Sequence, residues 1–185
     1  MRELIAPPKT IEWTGTAARI IDQTLLPGTL KFVDITTDKE MWEAIKSLRV
    51  RGAPAIGVAA GYGLVLGLRR KNPDTLLEFR KVLRRISLYL ATSRPTAVNL
   101  FWALDRCEAA IHALDPSTTA QGAQDRLLAE AIAIHRSDEA TCQAIARNGA
   151  SLLADAKGIL THCNAGALAT AGMGTAVGVI YPVSQ

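Results

Sequence analysis

Gly158-Ile-Leu-Thr-His-Cys-Asn-Ala-Gly-Ala-Leu-Ala-Thr170, continued by Ala171-Gly-Met-Gly-Thr-Ala-Val-Gly178, is the stretch on which the reading of this chain turns. Ile159 and Leu160 form an apolar run, Thr161, His162 and Cys163 follow, and then comes a segment rich in small residues and glycine. That order predicts a buried strand delivering a thiol and an imidazole to a loop, with a helix start beyond it. Ligands in open α/β sheets bind outside the carboxyl ends of strands, and Cys163 would stand there. An α/β domain that starts at residue 158 is not finished by Gln185, so residues 158–185 are expected to be its truncated first β-α unit.

Working back towards the N-terminus, Lys157-Gly158 stops a long helical region. Helices are predicted from about Thr119 to Ala154, with Ser137-Asp138 as a cap that would split this stretch, and over Val98–Leu114, with Asp115-Pro116 between the two. Another helix is predicted from the Asn72-Pro73 turn to about Leu90. The uncharged run Ala53–Leu68 is too short for the roughly 20 apolar residues of a membrane span, so it reads as a buried core helix. Its glycines at 57 and 61, and at 63 and 67, would let neighbouring backbones approach closely. Asp38 is the expected N-cap of a short helix carrying Met41, Ile45 and Leu48 on one face. Thr10–Trp13, Ala18–Ile21 and Leu30–Ile35 read as strands, the first two joined by a Thr14-Gly15 turn. The fold class expected is an α+β N-terminal domain, a small antiparallel β element plus a helical bundle, over residues 1–157, followed by the incomplete α/β unit of 158–185.

Composition narrows the function classes. Of 185 residues, 49% are hydrophobic and 21% charged, a globular balance. The net charge of +4 comes partly from clusters at Arg69-Arg70-Lys71 and at Arg80, Lys81, Arg84 and Arg85. No aromatic residues interleave with these cations as base stacking would need, so they read as solvated helix faces, and no nucleic-acid or membrane partner is expected. Three cysteines at spacings that do not suit zinc predict no metal, and an N-terminus without a leader's apolar run predicts a cytoplasmic protein.

Two arginines precede helix starts that contain proline. In Arg51-Gly52-Ala53-Pro54, Gly52 permits close backbone approach, and the following amides with the helix dipole attract anions. Ser93-Arg94-Pro95-Thr96 repeats the design. A guanidinium at each supplies the two-pronged donor that phosphate accepts. Structural capping is the alternative for both. Cys163, at a strand end beside His162, is the candidate reactive thiol, whereas Cys107, Cys142, His112 and His135 fall within helices and read as structural. Adjacent strand residues face opposite sides, so a direct pair of His162 with Cys163 is not predicted. Gly172-Met-Gly174-Thr-Ala-Val-Gly178 has the form of a loose dinucleotide fingerprint, but glycines that let a helix pack tightly on a sheet are the preferred meaning.

Four blocks carry a family resemblance: Asp22-Gln-Thr-Leu-Leu-Pro27, Val50-Arg-Gly-Ala-Pro-Ala-Ile-Gly57, Ser93-Arg-Pro-Thr-Ala-Val-Asn-Leu100, and Leu160-Thr-His-Cys-Asn-Ala-Gly-Ala-Leu-Ala-Thr170. With them the chain resembles the S-methyl-5-thioribose-1-phosphate isomerases, in the group that includes the regulatory subunits of translation initiation factor 2B. The resemblance implies an isomerase of methionine salvage that converts 5-methylthioribose 1-phosphate to 5-methylthioribulose 1-phosphate without a cofactor. A ribose-1,5-bisphosphate isomerase and a non-catalytic regulatory subunit are the alternatives. It also implies a Rossmann-like C-terminal domain, a homodimer, substrate contacts at Arg51, Gly52, Ala53 and Arg94, and a catalytic cysteine at Cys163. The family's catalytic aspartate lies further into the second domain, so this chain alone is expected to be inactive or nearly so. Pro182 is expected to disrupt the helix that the family continues there.

Overall fold

The computed structural model describes residues 7–153 and 155–183. Three short strands, β1 (Ile11–Trp13), β2 (Ala18–Ile21) and β3 (Phe32–Ile35), form an antiparallel sheet in sequence order. Ile20 stands opposite both Ile11 and Val33, and Ala18 opposite Ile35. Alternation along β2 sends Ala18 and Ile20 into the core and Arg19 outward, where its Nε donates to Asp34 at 2.7 Å. The predicted strands are all present, the third beginning at Phe32 rather than Leu30.

Five longer helices follow: α1 (Asp38–Lys46), α2 (Ala53–Lys71), α3 (Leu76–Ala91), α4 (Val98–His112) and α5 (Ala120–Ala150). The N-cap of α1 is Thr37, not Asp38. Its hydroxyl accepts from the Glu40 amide while the Glu40 carboxylate takes the Thr37 amide, a reciprocal box that Asp38 has no glutamate placed to complete. Helix α2 is the axis of the domain. Every residue from Ala55 to Leu68 is buried, against α1, α3, α4 and α5. Its glycines sit where neighbours come closest: a Cβ at Gly57 would lie 3.0 Å from the Asn99 carbonyl, and one at Gly61 3.4 Å from Ala131. Among the described residues no helix is long and apolar enough to cross a membrane.

Helix α5 runs unbroken past Ser137-Asp138, because Asp138 turns its carboxylate away from its own helix to an amide elsewhere. Three arginines of the basic clusters are engaged within the fold. Arg69 donates to the Gly15 carbonyl and lies over Trp13, Arg84 pairs with Glu108, and Arg80 Nη2 reaches the carbonyls of Ile111, His112 and Leu114 at the end of α4.

The largest departure from expectation is C-terminal. No strand forms over Ile159–His162; Ile159 is 40% exposed and Leu160 97%. A buried strand needs a neighbour to take its N–H and C=O groups, and no described strand lies beside this segment. In place of the predicted helix are 3-10 turns at Ala167–Ala169 and Val177–Val179 and a short α6 (Ile180–Val183). Pro182 is the third residue of α6, which ends at Val183.

Candidate active site

The site starts from two helix ends. Gly52 is the N-cap of α2, with φ 95° and ψ 137°, and Ala53 and Pro54 open the helix. No side chain caps this end, and the first turn carries no acidic residue, so it keeps its attraction for anions. Helix α4 starts at Val98, also without a side-chain cap, three residues beyond Pro95. The close approach of Gly57 to the Asn99 carbonyl brings the two helix starts together, and with them the Arg51 and Arg94 blocks. Arg94 is half-buried, and its Nη1 is fully buried with no hydrogen-bond partner among the described residues. A buried guanidinium nitrogen with an unmet donor is costly unless an acceptor arrives.

The glycine-rich segment docks onto this corner. A Cβ on Gly52 would lie 2.4 Å from both Cα and Cβ of Ala169, so the two backbones touch. The Thr10 hydroxyl donates to the Ala167 carbonyl at 2.8 Å, and Gln23 Nε2 donates to the Leu168 carbonyl at 2.7 Å. The Ala171 amide donates to Asp138 Oδ2 at 2.6 Å. Gly172 rests on α5, where an added Cβ would come within 3.1 Å of Cys142 Cβ. Gly174, at φ 101°, closes the segment on itself through a bridge to Gly166, and the Thr170 hydroxyl accepts from the amides of Gly172 and Gly174. These glycines therefore serve a folded-back loop seated on a helix, not a helix packed on a sheet.

Gln23 links the segment to the first arginine. It is 2% exposed, and its Oε1 accepts from Arg51 Nε at 3.2 Å while its Nε2 holds Leu168. Arg49 pairs with Asp22 and fixes the same turn from the other side. Asp138 is held above the ordinary carboxylate range, because burial penalises its charge more than the Ala171 amide and nearby His135 favour it. It lines a cavity of about 230 Å³ with Pro54 and Val58 of α2, Asn99 and Trp102 of α4, and Ile134 and Thr141 of α5.

Cys163 is exposed, on a loop and not at a strand end, with a backbone φ of 69°. It borders a largely apolar cavity of about 570 Å³ walled by Pro8, Leu26, Leu30, Val177 and Tyr181, and the two arginines lie outside that lining. The structure thus joins the Arg51 block to Ala169, further along the same loop as Cys163, without placing either guanidinium in the cavity of the sulfur. His162 is exposed beside it. Cys142 is buried, and burial raises its thiol despite the amides of Gly172 and Gly174. Burial pushes Cys107 up to about 12. His135 is buried, with Nδ1 2.8 Å from the Tyr62 hydroxyl, and His112 is exposed at the end of α4. Among the described residues, no three His, Cys, Asp or Glu side chains gather as a metal site.

Thr10 and Asp138 have no part in the sequence reading of the site, and Gln23 enters it only as one letter of the Asp22–Pro27 block. Each acts across a long separation, with partners that no local pattern ties to it.

A 5-deoxyribose 1-phosphate isomerase of Moorella thermoacetica is 50% identical over 184 residues, 100% of this chain and 51% of that protein. A methylthioribose-1-phosphate isomerase of Symbiobacterium thermophilum is 49% identical over 94% of this chain and 48% of its own length. The crystal structure of 5-methylthioribose 1-phosphate isomerase from Pyrococcus horikoshii OT3 matches with a TM-score of 0.89 at 37% identity, over 96% of this chain and 49% of that one. The translation initiation factor eIF-2B subunit delta from A. fulgidus matches at 0.85 and 35%, over 95% and 51%. The chain spans about half the length of the curated relatives it matches. The sequence profile of the initiation factor 2 subunit family covers residues 49–183, from the arginine that braces the Asp22 turn through the whole docked loop, and the chain belongs to that family.

Proposed function

We propose that this chain forms the substrate-gripping half of a sugar-phosphate isomerase that converts 5-methylthioribose 1-phosphate to 5-methylthioribulose 1-phosphate. Residues 1–157 are the N-terminal domain, and 158–185 open a Rossmann-like second domain. Arg51, the amides of Gly52 and Ala53, and Arg94 bind the phosphate. Cys163 is the catalytic thiol. The observation that carries the reading is the contact of Gly52 with Ala169, which packs the anion-attracting start of α2 against the loop that bears the cysteine. Relatives named as isomerases at 49–50% identity favour catalysis over a purely regulatory role.

The chemistry needs these residue types. With the anomeric oxygen phosphorylated, the sugar ring opens only if the C1 to ring-oxygen bond breaks and that oxygen takes a proton; a hydrogen must then move from C2 to C1 while the C2 hydroxyl gives up its proton and becomes the ketone. The phosphate grip fixes the ring for both events. Cys163 serves as one of the proton-handling groups, at a non-glycine φ of 69°, a backbone state that costs energy and is common at functional positions. The apolar wall of its cavity suits an uncharged substituent at C5 better than the second phosphate of ribose 1,5-bisphosphate. A 5-deoxyribose 1-phosphate, the substrate named for the Moorella relative, satisfies the same requirement.

Calorimetric titration of this chain with 5-methylthioribose 1-phosphate tests the reading. Binding should weaken roughly tenfold or more in Arg51→Ala and in Arg94→Ala, the scale of a lost charge-assisted hydrogen bond, and persist in Cys163→Ala. No turnover is expected from the 185 residues by themselves. Equal affinity in all four proteins would remove the phosphate grip from this corner.

A further inference from the structure

We infer that Gln23 is a positioning residue, which sets the plane of the Arg51 guanidinium and the seat of the cysteine-bearing loop through a single side-chain amide. The inference rests on the proposed phosphate role of Arg51. Gln23 lies in a 3-10 turn after β2, is 2% exposed, and has both ends of its amide occupied: Oε1 by Arg51 Nε at 3.2 Å, Nε2 by the Leu168 carbonyl at 2.7 Å. The chemistry of the partners fixes its orientation. A guanidinium N–H only donates and a carbonyl only accepts, so a flipped amide would set donor against donor and acceptor against acceptor.

The backbone of the same residue is anchored too. The Gln23 amide donates to the Arg49 carbonyl at 3.2 Å, two residues before Arg51, and Arg49 pairs with buried Asp22. The turn and the segment before α2 are therefore stitched together at backbone and side chain. The bond to Arg51 engages Nε, the donor nearest the stem, and so restrains rotation of the planar head. An anion then meets the Nη edge of a fork that is already oriented, and less side-chain entropy is lost on binding. The other end of the amide holds Leu168, next to the Ala169 that touches Gly52. No other described residue hydrogen-bonds both to Arg51 and to the 163–171 loop. Glutamate, aspartate or leucine at this position would satisfy at most one of the two partners.

The test uses the 185-residue chain with inorganic phosphate as probe, below the melting temperature of every variant. Gln23→Leu should weaken phosphate binding roughly three- to tenfold, the scale of one lost hydrogen bond, and should speed alkylation by iodoacetamide of buried Cys142, which the loop covers at Gly172, by a similar factor. Arg51→Ala should weaken phosphate at least as much. If Arg51→Ala weakens phosphate but Gln23→Leu leaves it within about twofold, Gln23 does not orient the fork and the inference is overturned. If Arg51→Ala has no effect, the phosphate role of Arg51 fails first, and the inference falls with it. A measurement on the unaltered chain covers the case in which Gln23→Leu does not fold. The Nε–H of Arg51 should exchange with solvent several-fold more slowly than that of exposed Arg70, and equal rates would overturn the inference.

Discussion

Gly52→Ala is the substitution that bears hardest on the docked loop. At φ 95° and ψ 137° the residue occupies a backbone region that alanine adopts at a cost of about 1–3 kcal/mol. The new Cβ would also stand 2.4 Å from the Cα of Ala169 and 2.7 Å from its carbonyl oxygen, atoms that cannot swing aside as a flexible side chain would. Either the start of α2 distorts or the loop lifts away. Lifting breaks the bonds of Ala167 to Thr10, Leu168 to Gln23 and Ala171 to Asp138, at about 1 kcal/mol each, or about 3 kcal/mol together. The expected loss is therefore about 4–6 kcal/mol, concentrated in the loop and sparing the helical core. Thiol counting reads this out. In the parent protein Cys163 is exposed while Cys107 and Cys142 are buried, and Cys142 lies directly beneath Gly172. A disulfide reagent should find one fast thiol in the parent and a second, Cys142, in Gly52→Ala, with Cys107 still protected between α4 and its neighbours. A single fast thiol and an unchanged urea midpoint in the variant would refute the reasoning, because the backbones would then have room that the geometry denies them.

Two further predictions concern buried polar groups. Burial raises the pKa of Asp138 above its ordinary 3.8, so the folded state favours the protonated carboxyl; the resulting stability is full below the ordinary value and is lost as pH rises through the raised one. Asp138→Asn keeps an acceptor for the Ala171 amide without the charge, so its urea midpoint should gain on the parent's from acid to neutral pH; a constant difference would contradict this. Tyr62→Phe removes the partner 2.8 Å from His135 Nδ1 in a buried setting and should cost about 1–2 kcal/mol in urea unfolding, and a loss below about 0.3 kcal/mol would show that His135 has another partner.

The chemistry of the site was partly legible and partly not. Arg51-Gly-Ala-Pro54 and Ser93-Arg-Pro-Thr96 announce themselves because arginine, glycine and proline each have a local meaning at a helix start. Cys163 stands out for the small residues that follow it. Gln23 and Asp138 carry no such local signal. A glutamine in a turn and an aspartate in mid-helix are ordinary residues until the chain brings Leu168 and Ala171 to them, 145 and 33 positions away.

Sequence alone determined the small sheet and the helices that follow it. Alternation of two placed Ala18 and Ile20 inward on a strand, an uncharged run studded with glycines made α2 the buried axis, and prolines with cap residues set the breaks between helices. Those are properties of neighbouring residues, and local pattern reports them. Tertiary structure alone decided the fate of residues 158–183. The apolar pair Ile159-Leu160 has strand character, but a strand exists only where another backbone takes its hydrogen bonds, and among the described residues none does. The glycine segment instead folded back on itself and settled on α2 and α5, because Gly52, Gly172 and Gly174 leave the space that close backbone contact requires.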